Sequence, residues 1–230
     1  MWQSSQFRTF GAVVSVGVAV NRGRTDPAML AQIVLFDGFD PLDVTAPYAV
    51  LAAGGMTAEL VSAEGAREVP SGLGPLTLRA TGPLDPRRAD LVVVPGATGP
   101  AEVVTAVLGR ALDTGLPALL GESLARPGVT TAAVCGGSVL LALAGLITGR
   151  PATTHHLGLD TLARAGATPV RARVVDDGDL VTAAGVTSGL DLGLYLLERE
   201  IDPAAALVVE DLFEYERRGT VWRAADRVGA

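Results

Sequence analysis

A single cysteine, two histidines and an aromatic share of only 4% leave most kinds of site chemistry without material in this chain of 230 residues. One cysteine cannot close an intrachain disulfide, so a reducing, cytoplasmic setting is expected. No Cys/His cluster is present to hold a metal, and no cofactor is called for. With few aromatic rings, the core must be built from Val, Leu, Ala and Ile, as in sheets buried on both faces. Basic residues are outnumbered 25 to 18, the net charge is -7 and no basic stripe runs along the chain. That excludes nucleic acid as a partner. Long apolar runs are also lacking. Gly11–Val20 is mostly apolar but too short to span a bilayer, so no membrane partner is expected. Arg8 precedes that run, as in a signal peptide, but only Asn21-Arg22-Gly23-Arg24 follows it, with no small-x-small cleavage site. Residues 1–28 therefore read as an N-terminal extension, partly disordered, and residues 29–230 as a single domain.

What is abundant is apolar sequence (49%) and glycine (28 residues), the material of a large core with many tight turns. Gln32–Phe36 reads as a buried first strand, and Leu42–Ala53 as a helix despite Pro47. Ala58–Ser62 reads as a second strand, and Val69–Ala80 as a hairpin-like excursion. Asp90–Val94 is an apolar strand closed by Pro95-Gly96, and residues 99–120 are mainly helical. Val129–Val134 is a strand, Gly136–Ala144 a helix and His156–Ala165 another. Val170–Val175 and Leu180–Ala184 read as strands around an Asp176–Asp179 turn, followed by helices over Ser188–Glu200 and Pro203–Glu216. This alternation predicts an α/β fold: a mostly parallel sheet flanked by helices on both faces, in a flavodoxin-like sandwich. Sites in such sheets lie at the carboxyl ends of the strands. The turns after Phe36, Val94 and Val134 share that edge, so Asp43, Gly96 and Cys135 are expected to converge.

Cys135 ends an apolar strand and is followed by Gly136-Gly137 and a helix. That is the logic of a nucleophile elbow, with sulfur in place of oxygen. A helix N-terminus at this point favours the thiolate and predicts a lowered thiol pKa. Asp43 has two readings from spacing alone. It is an N-cap or first-turn carboxylate, or a proton shuttle beside Cys135 with a raised pKa. Pro95–Gly99 is either a plain tight turn or a cradle that aims the Gly96 and Ala97 backbone at a developing anion, with the Gly136 N–H as a second donor. His155 and His156 point different ways and make a poor metal pair; one is a surface residue or a base that orients Cys135. Asp191, with Thr187 and Ser188, caps a helix or else touches the site. Asp176, Asp177 and Asp179 lack the ligand pattern of a calcium loop and read as a solvated turn. Gly72-x-Gly74 lacks the third glycine and following helix of a dinucleotide fingerprint.

With these residues in hand, the chain from about Gln32 to Glu216 resembles the ThiJ/PfpI superfamily of class I glutamine amidotransferase-like folds, and within it isonitrile (isocyanide) hydratases. The resemblance rests on Ile33–Phe36, Leu42–Pro47, Val94–Gly96, Ala133–Ser138, Gly145–His155 and Gly185–Asp191. The same segments occur in sensor domains of some transcription regulators. The resemblance implies that Cys135 is the nucleophile, that Asp43 is the acidic partner found as aspartate in hydratase-like members, and that the chain forms a homodimer. Gly136 stands where hydratases carry threonine, Ala97 where a second glycine is frequent, and His156 where an aromatic is common. The expected activity is cofactor-free hydration of an isocyanide, a small-molecule substrate, to an N-substituted formamide through a covalent thioimidate on Cys135. The alternatives are glyoxalase-type attack on a reactive aldehyde, with His155 as base, and a ligand or redox sensor.

Overall fold

In the computed structural model, residues 28–224 are described. The extension expected over residues 1–28 lies, but for its last residue, outside them. The chain runs β1 (Leu30–Leu35), α1 (Pro41–Ala53), β2 (Thr57–Ser62), then the antiparallel hairpin β3 (Arg67–Pro70) and β4 (Thr77–Ala80). Next come β5 (Gly82–Pro83), β6 (Leu91–Val94), α2 (Ala101–Leu112), α3 (Leu116–Ala125), β7 (Thr130–Val134) and α4 (Gly137–Leu143). After β8 (Pro151–Ala152), a 3-10 turn at His156–Gly158 leads to α5 (Leu159–Arg164) and β9 (Thr168–Pro169). The chain closes with β10 (Val174–Asp177), β11 (Leu180–Ala183), α6 (Ser188–Glu200), α7 (Pro203–Leu212) and β12 (Trp222–Arg223).

Eight strands form one sheet in the order β12-β10-β11-β7-β6-β1-β2-β5. Its pairs are parallel except for β10 with β11. The fold is thus α/β, a mostly parallel sheet with α1, α6 and α7 packed together in one layer and α2–α5 in the other. Strands β6 and β7 are wholly buried, β6 as an unbroken apolar run and β7 with Thr130 and Thr131 ahead of its apolar end. After β1 the chain adds β2 on one side, then crosses to add β6 on the other. The crevice at the carboxyl ends of β1 and β6 is therefore a topological switch point, where open α/β sheets bind ligands.

Several local expectations are corrected. Helix α1 begins at Pro41 rather than Leu42, because Asp40 caps it: its Oδ1 accepts from Leu42 N at 2.9 Å, and proline suits a first helical position. Pro47 stays inside α1 and packs on Gly189 and Gly193 of α6, which have no side chains to hold the helices apart. The helical stretch at 99–120 is two helices, broken at Asp113–Gly115. Strand β10 starts at Val174 rather than Val170 and keeps Asp176 and Asp177, so the turn is only Gly178–Asp179. The final helix stops at Leu212. The acidic run is not simply solvated. Arg150 pairs with Asp177 at 2.6 Å and with Asp179 at 2.5 Å, while Asp176 accepts from Tyr195 Oη and lies 3.3 Å from Arg199.

Candidate functional site

Cys135 follows the last residue of β7 with φ 55°, a left-handed conformation that costs a non-glycine residue about 1–3 kcal/mol. The surroundings hold it there. Its N–H donates to the carbonyls of Ala183 (3.0 Å) and Ala184 (3.1 Å), and its own carbonyl accepts from Thr154 Oγ1 at 2.5 Å. Gly137, the first residue of α4, passes so close to the Val94 and Pro95 carbonyls that a Cβ there would overlap Val94 O. Strand, cysteine and helix are thus forced into one sharp turn, and the side chain leaves the sheet edge.

Because Asp40 caps α1, Asp43 is free for other work nearly one turn later. It is fully buried, and its Oδ2 accepts from Gly96 N at 3.0 Å. Its Oδ1 has no hydrogen-bond partner among the described residues. Gly96 has no room for a side chain: a Cβ would stand 2.5 Å from Gly136 N and 2.9 Å from Asp43 Oδ2. The turn after β6 therefore brings Asp43 up to the elbow. Burial raises the pKa of Asp43 well above the usual carboxylate value, and the Asp40 charge adds to this, against smaller opposing effects of the Gly96 N–H and the Cys135 thiol. The thiol is pushed up as well, from 9.0 to about 12. Burial is the largest cause, followed by the Asp43 charge; the Gly136 and Val186 N–H groups act the other way, and Asp40 adds a further upward push. The expected lowering of the thiol pKa is thereby reversed. Cys135 is 8% exposed and faces two carboxyls, which outweigh the backbone of a seven-residue helix.

The remaining candidates separate. The Gly96 N–H is committed to Asp43, which corrects its expected role as an oxyanion donor. Ala97 is buried and bridges to Phe39, its nitrogen 3.6 Å from where a Cβ on Gly136 would stand. That Cβ would meet nothing closer than 3.4 Å, so the backbone does not demand glycine at 136. Reasoning from sequence missed Val186, whose N–H is the second donor at the sulfur, and Thr154, which fixes the elbow carbonyl. The position of Val186, just past the carboxyl end of β11 and before α6, was the available signal.

His155 uses Nδ1 to accept from Leu157 N at 3.3 Å, and its ring lies against Gly185. With Nδ1 occupied, the neutral ring presents Nε2–H as a donor. Burial and then the neighbouring His156, with ring centroids 4.3 Å apart, lower the pKa of His155. Asp191 neither caps α6 nor touches the thiol. It accepts from Arg173 Nε (2.6 Å), Tyr215 Oη (2.8 Å) and Arg218 N (2.7 Å), and Arg173 reaches on to Thr187 Oγ1 at 2.9 Å.

Beside the elbow lies an open cleft of about 560 Å³, walled by Thr153–His156, Leu159, Arg171–Arg173 and Ala184–Ser188. Thr154, Ala184 and Val186, which hold Cys135, form part of that wall. No group of three or more His, Cys, Asp or Glu side chains among the described residues is placed to hold a metal. No single helix among them is long and apolar enough to cross a membrane.

Comparison with known proteins matches this geometry to relatives. The chain is 33% identical over 189 residues to an isonitrile hydratase of Pseudomonas putida, covering 82% of this chain and 79% of that one. It is 32% identical over 141 residues to the HTH-type transcriptional regulator CdhR of Pseudomonas aeruginosa, covering 60% of this chain but 39% of the regulator. Among solved structures, a ThiJ/PfpI family protein from Pseudomonas syringae superposes with TM-score 0.73 at 28% identity, over 91% of this chain and 84% of that one. Drosophila melanogaster DJ-1beta shares the fold at TM-score 0.72 and 19% identity, over 83% of this chain and 100% of that one. The DJ-1/PfpI family model matches residues 29–199, a span that holds β1, the buried carboxylate, the elbow and most of α6; the chain belongs to the DJ-1/PfpI family.

Proposed function

We propose that the chain hydrates an isocyanide to an N-substituted formamide. The observation that carries this reading is the Asp43 carboxyl: buried, held through one oxygen by Gly96, unpartnered at the other, and with a pKa raised by burial well above the usual carboxylate value, beside the only thiol. A carboxylic acid that keeps its proton is a general acid, and the carbon of R–N≡C is a site that accepts a proton. Asp43 protonates that carbon as Cys135 Sγ bonds to it, and the thiol proton passes to the Asp43 carboxylate. The product is the thioimidate R–N=CH–S–Cys135. A water molecule then adds to the same carbon, giving R–NH–CH(OH)–S–Cys135. The C–S bond breaks, the thiol regains its proton, and R–NH–CHO leaves. One water is consumed and no electrons change hands. The Gly136 and Val186 N–H groups support developing charge at sulfur.

The raised thiol pKa also bears on the rivals. A redox sensor needs an accessible, acidic thiol, and this one is buried and weakly acidic. A glyoxalase route needs a base, whereas the accepting nitrogen of His155 already binds Leu157 N–H. Similarity to the isonitrile hydratase supports the same conclusion.

The test is formamide production from small aliphatic and aromatic isocyanides. Wild-type protein is expected to turn over at least one of them, with Cys135→Ala and Asp43→Ala both reducing the rate to background while circular dichroism stays unchanged. Full turnover by purified Cys135→Ala, or lactate from methylglyoxal with no response to any isocyanide, overturns the reading.

A further inference from the structure

The cleft beside the elbow has an electrostatic character opposite to that of the molecule. The chain carries a net charge of -7, yet not one Asp or Glu lines this space of about 560 Å³. Its ionisable lining is His155, His156, Arg171 and Arg173. The two arginines differ. Arg173 already spends its charge on Asp191 at 2.6 Å behind the wall. The guanidinium of Arg171 is exposed and has no carboxylate or hydrogen-bond partner among the described residues. Beside it in the lining, the Thr187 hydroxyl accepts from Arg173 and keeps its own proton to donate, whereas the Thr153 and Ser188 hydroxyls already donate to the Ala172 and Gly185 carbonyls.

A free guanidinium beside a donor hydroxyl, in a cleft that no carboxylate lines, is a receptor for a planar monoanion. We infer that the cleft takes a carboxylate carried by the substrate, so that the isocyanide handled at Cys135 is an isocyano acid rather than a neutral isocyanide. This rests on the hydration reading for the reaction, but the anion site stands on its own observations. The cleft and the thiol share Thr154, Ala184 and Val186 as a common wall, so a molecule anchored at Arg171 lies on the side of the elbow that the sulfur amide donor occupies. One unpaired guanidinium, with a second already neutralised, matches one negative charge better than the two of a phosphate. Arginine's fork also fits a carboxylate through two parallel hydrogen bonds. The chain has no lysine to do this as a point charge.

The experiment separates the two readings. Binding is measured by calorimetry on the Cys135→Ser variant with N-formylleucine, a carboxylate analogue of the product, and with its primary amide. Turnover is measured on wild type with an isocyano carboxylate and its methyl ester. The expected result is preference for the carboxylate of about tenfold or more in both assays, as a charge-assisted pair provides, falling to within about threefold in Arg171→Gln. Inorganic phosphate, run as a competitor, is expected to displace N-formylleucine only weakly; displacement as effective as by the carboxylate overturns the choice of anion. Equal binding of N-formylleucine and its amide, or a preference unchanged in Arg171→Gln, overturns the site. Selective binding without turnover of either isocyanide leaves the anion site standing and removes the hydration reading.

Discussion

Burial sets the acidity of both Cys135 and Asp43 and pushes each group's pKa up. A thiol with pKa about 12 is ionised at pH 8 to on the order of one part in ten thousand, roughly a thousandfold less than at its ordinary 9.0. Alkylation by iodoacetamide at pH 8 is therefore expected to lag far behind that of glutathione, and Asp43→Asn, which removes the adjacent negative charge, is expected to quicken it. Alkylation as fast as free thiol would contradict the buried, doubly acidic setting. The same carboxyl sets a stability profile. The folded pKa of Asp43 lies above its unfolded value near 3.9, so the native state holds the proton more tightly. That contribution is full below about pH 3.9 and is lost as pH rises through the folded value. With pH raised above that range the buried carboxyl opposes folding, and Asp43→Asn, which keeps an oxygen for Gly96 N–H, is expected to raise Tm at pH 8; near pH 3.5 the two proteins are expected to melt together. A Tm difference independent of pH would mean that the carboxyl is not the cause.

At the scale of elements, the elbow is a packing problem as much as a chemical one. Its two glycines are not equivalent. A methyl on Gly137 meets the Val94 carbonyl, part of the sheet backbone that cannot yield, whereas one on Gly136 makes only ordinary contacts at 3.4 Å and beyond, in a helical conformation (φ -64°). Gly137→Ala is thus expected to cost about 1–3 kcal/mol or more in urea unfolding, and Gly136→Ala less than about 1 kcal/mol. Equal midpoints would mean that α4 can shift away from β6. This is also where the sequence was most readable. Continuous apolar runs such as Leu91–Val94, and the β7–Cys135–α4 turn, announce themselves locally, and a parallel sheet follows from their alternation with helices. What stayed hidden depends on partners far along the chain. That Asp40, not Asp43, caps α1 is settled by one hydrogen bond to Leu42. That Gly96 spends its amide on a carboxyl 53 residues away, or that Arg150 claims Asp177 and Asp179, leaves no periodic trace. The direction of the thiol pKa was misread for the same reason: a helix terminus is visible in sequence, whereas the depth of burial and a facing carboxylate from α1 are not.

Across the whole molecule, the cleft wall is tied to the end of the chain through one buried anion. Asp191, 3% exposed, receives Arg173 from the stretch just before β10, Tyr215 Oη and Arg218 N–H from the stretch after α7, while Arg173 also holds Thr187 at the start of α6. The site at the switch point is thus braced from outside the sheet. Removing the carboxylate takes a partner from the Arg173 guanidinium and the Arg218 N–H together, but Arg173 opens onto the cleft and keeps Thr187 and Tyr215, so the cost falls below the about 3–5 kcal/mol of a fully buried pair. For a chain of this size that is a fall in Tm of roughly 2–4 °C per kcal/mol. Asp191→Ala is therefore expected to lower Tm by on the order of 5 °C and to raise the KM for the proposed isocyanide substrate, because Arg173 and Thr187 line the cleft; Asp191→Asn, which retains an acceptor for Arg218 N–H, is expected to fall between it and wild type. If Asp191→Ala melts like wild type, the brace is ornamental; if it loses stability but binds substrate unchanged at a temperature where it is folded, the wall of the cleft is held by something other than the end of the chain.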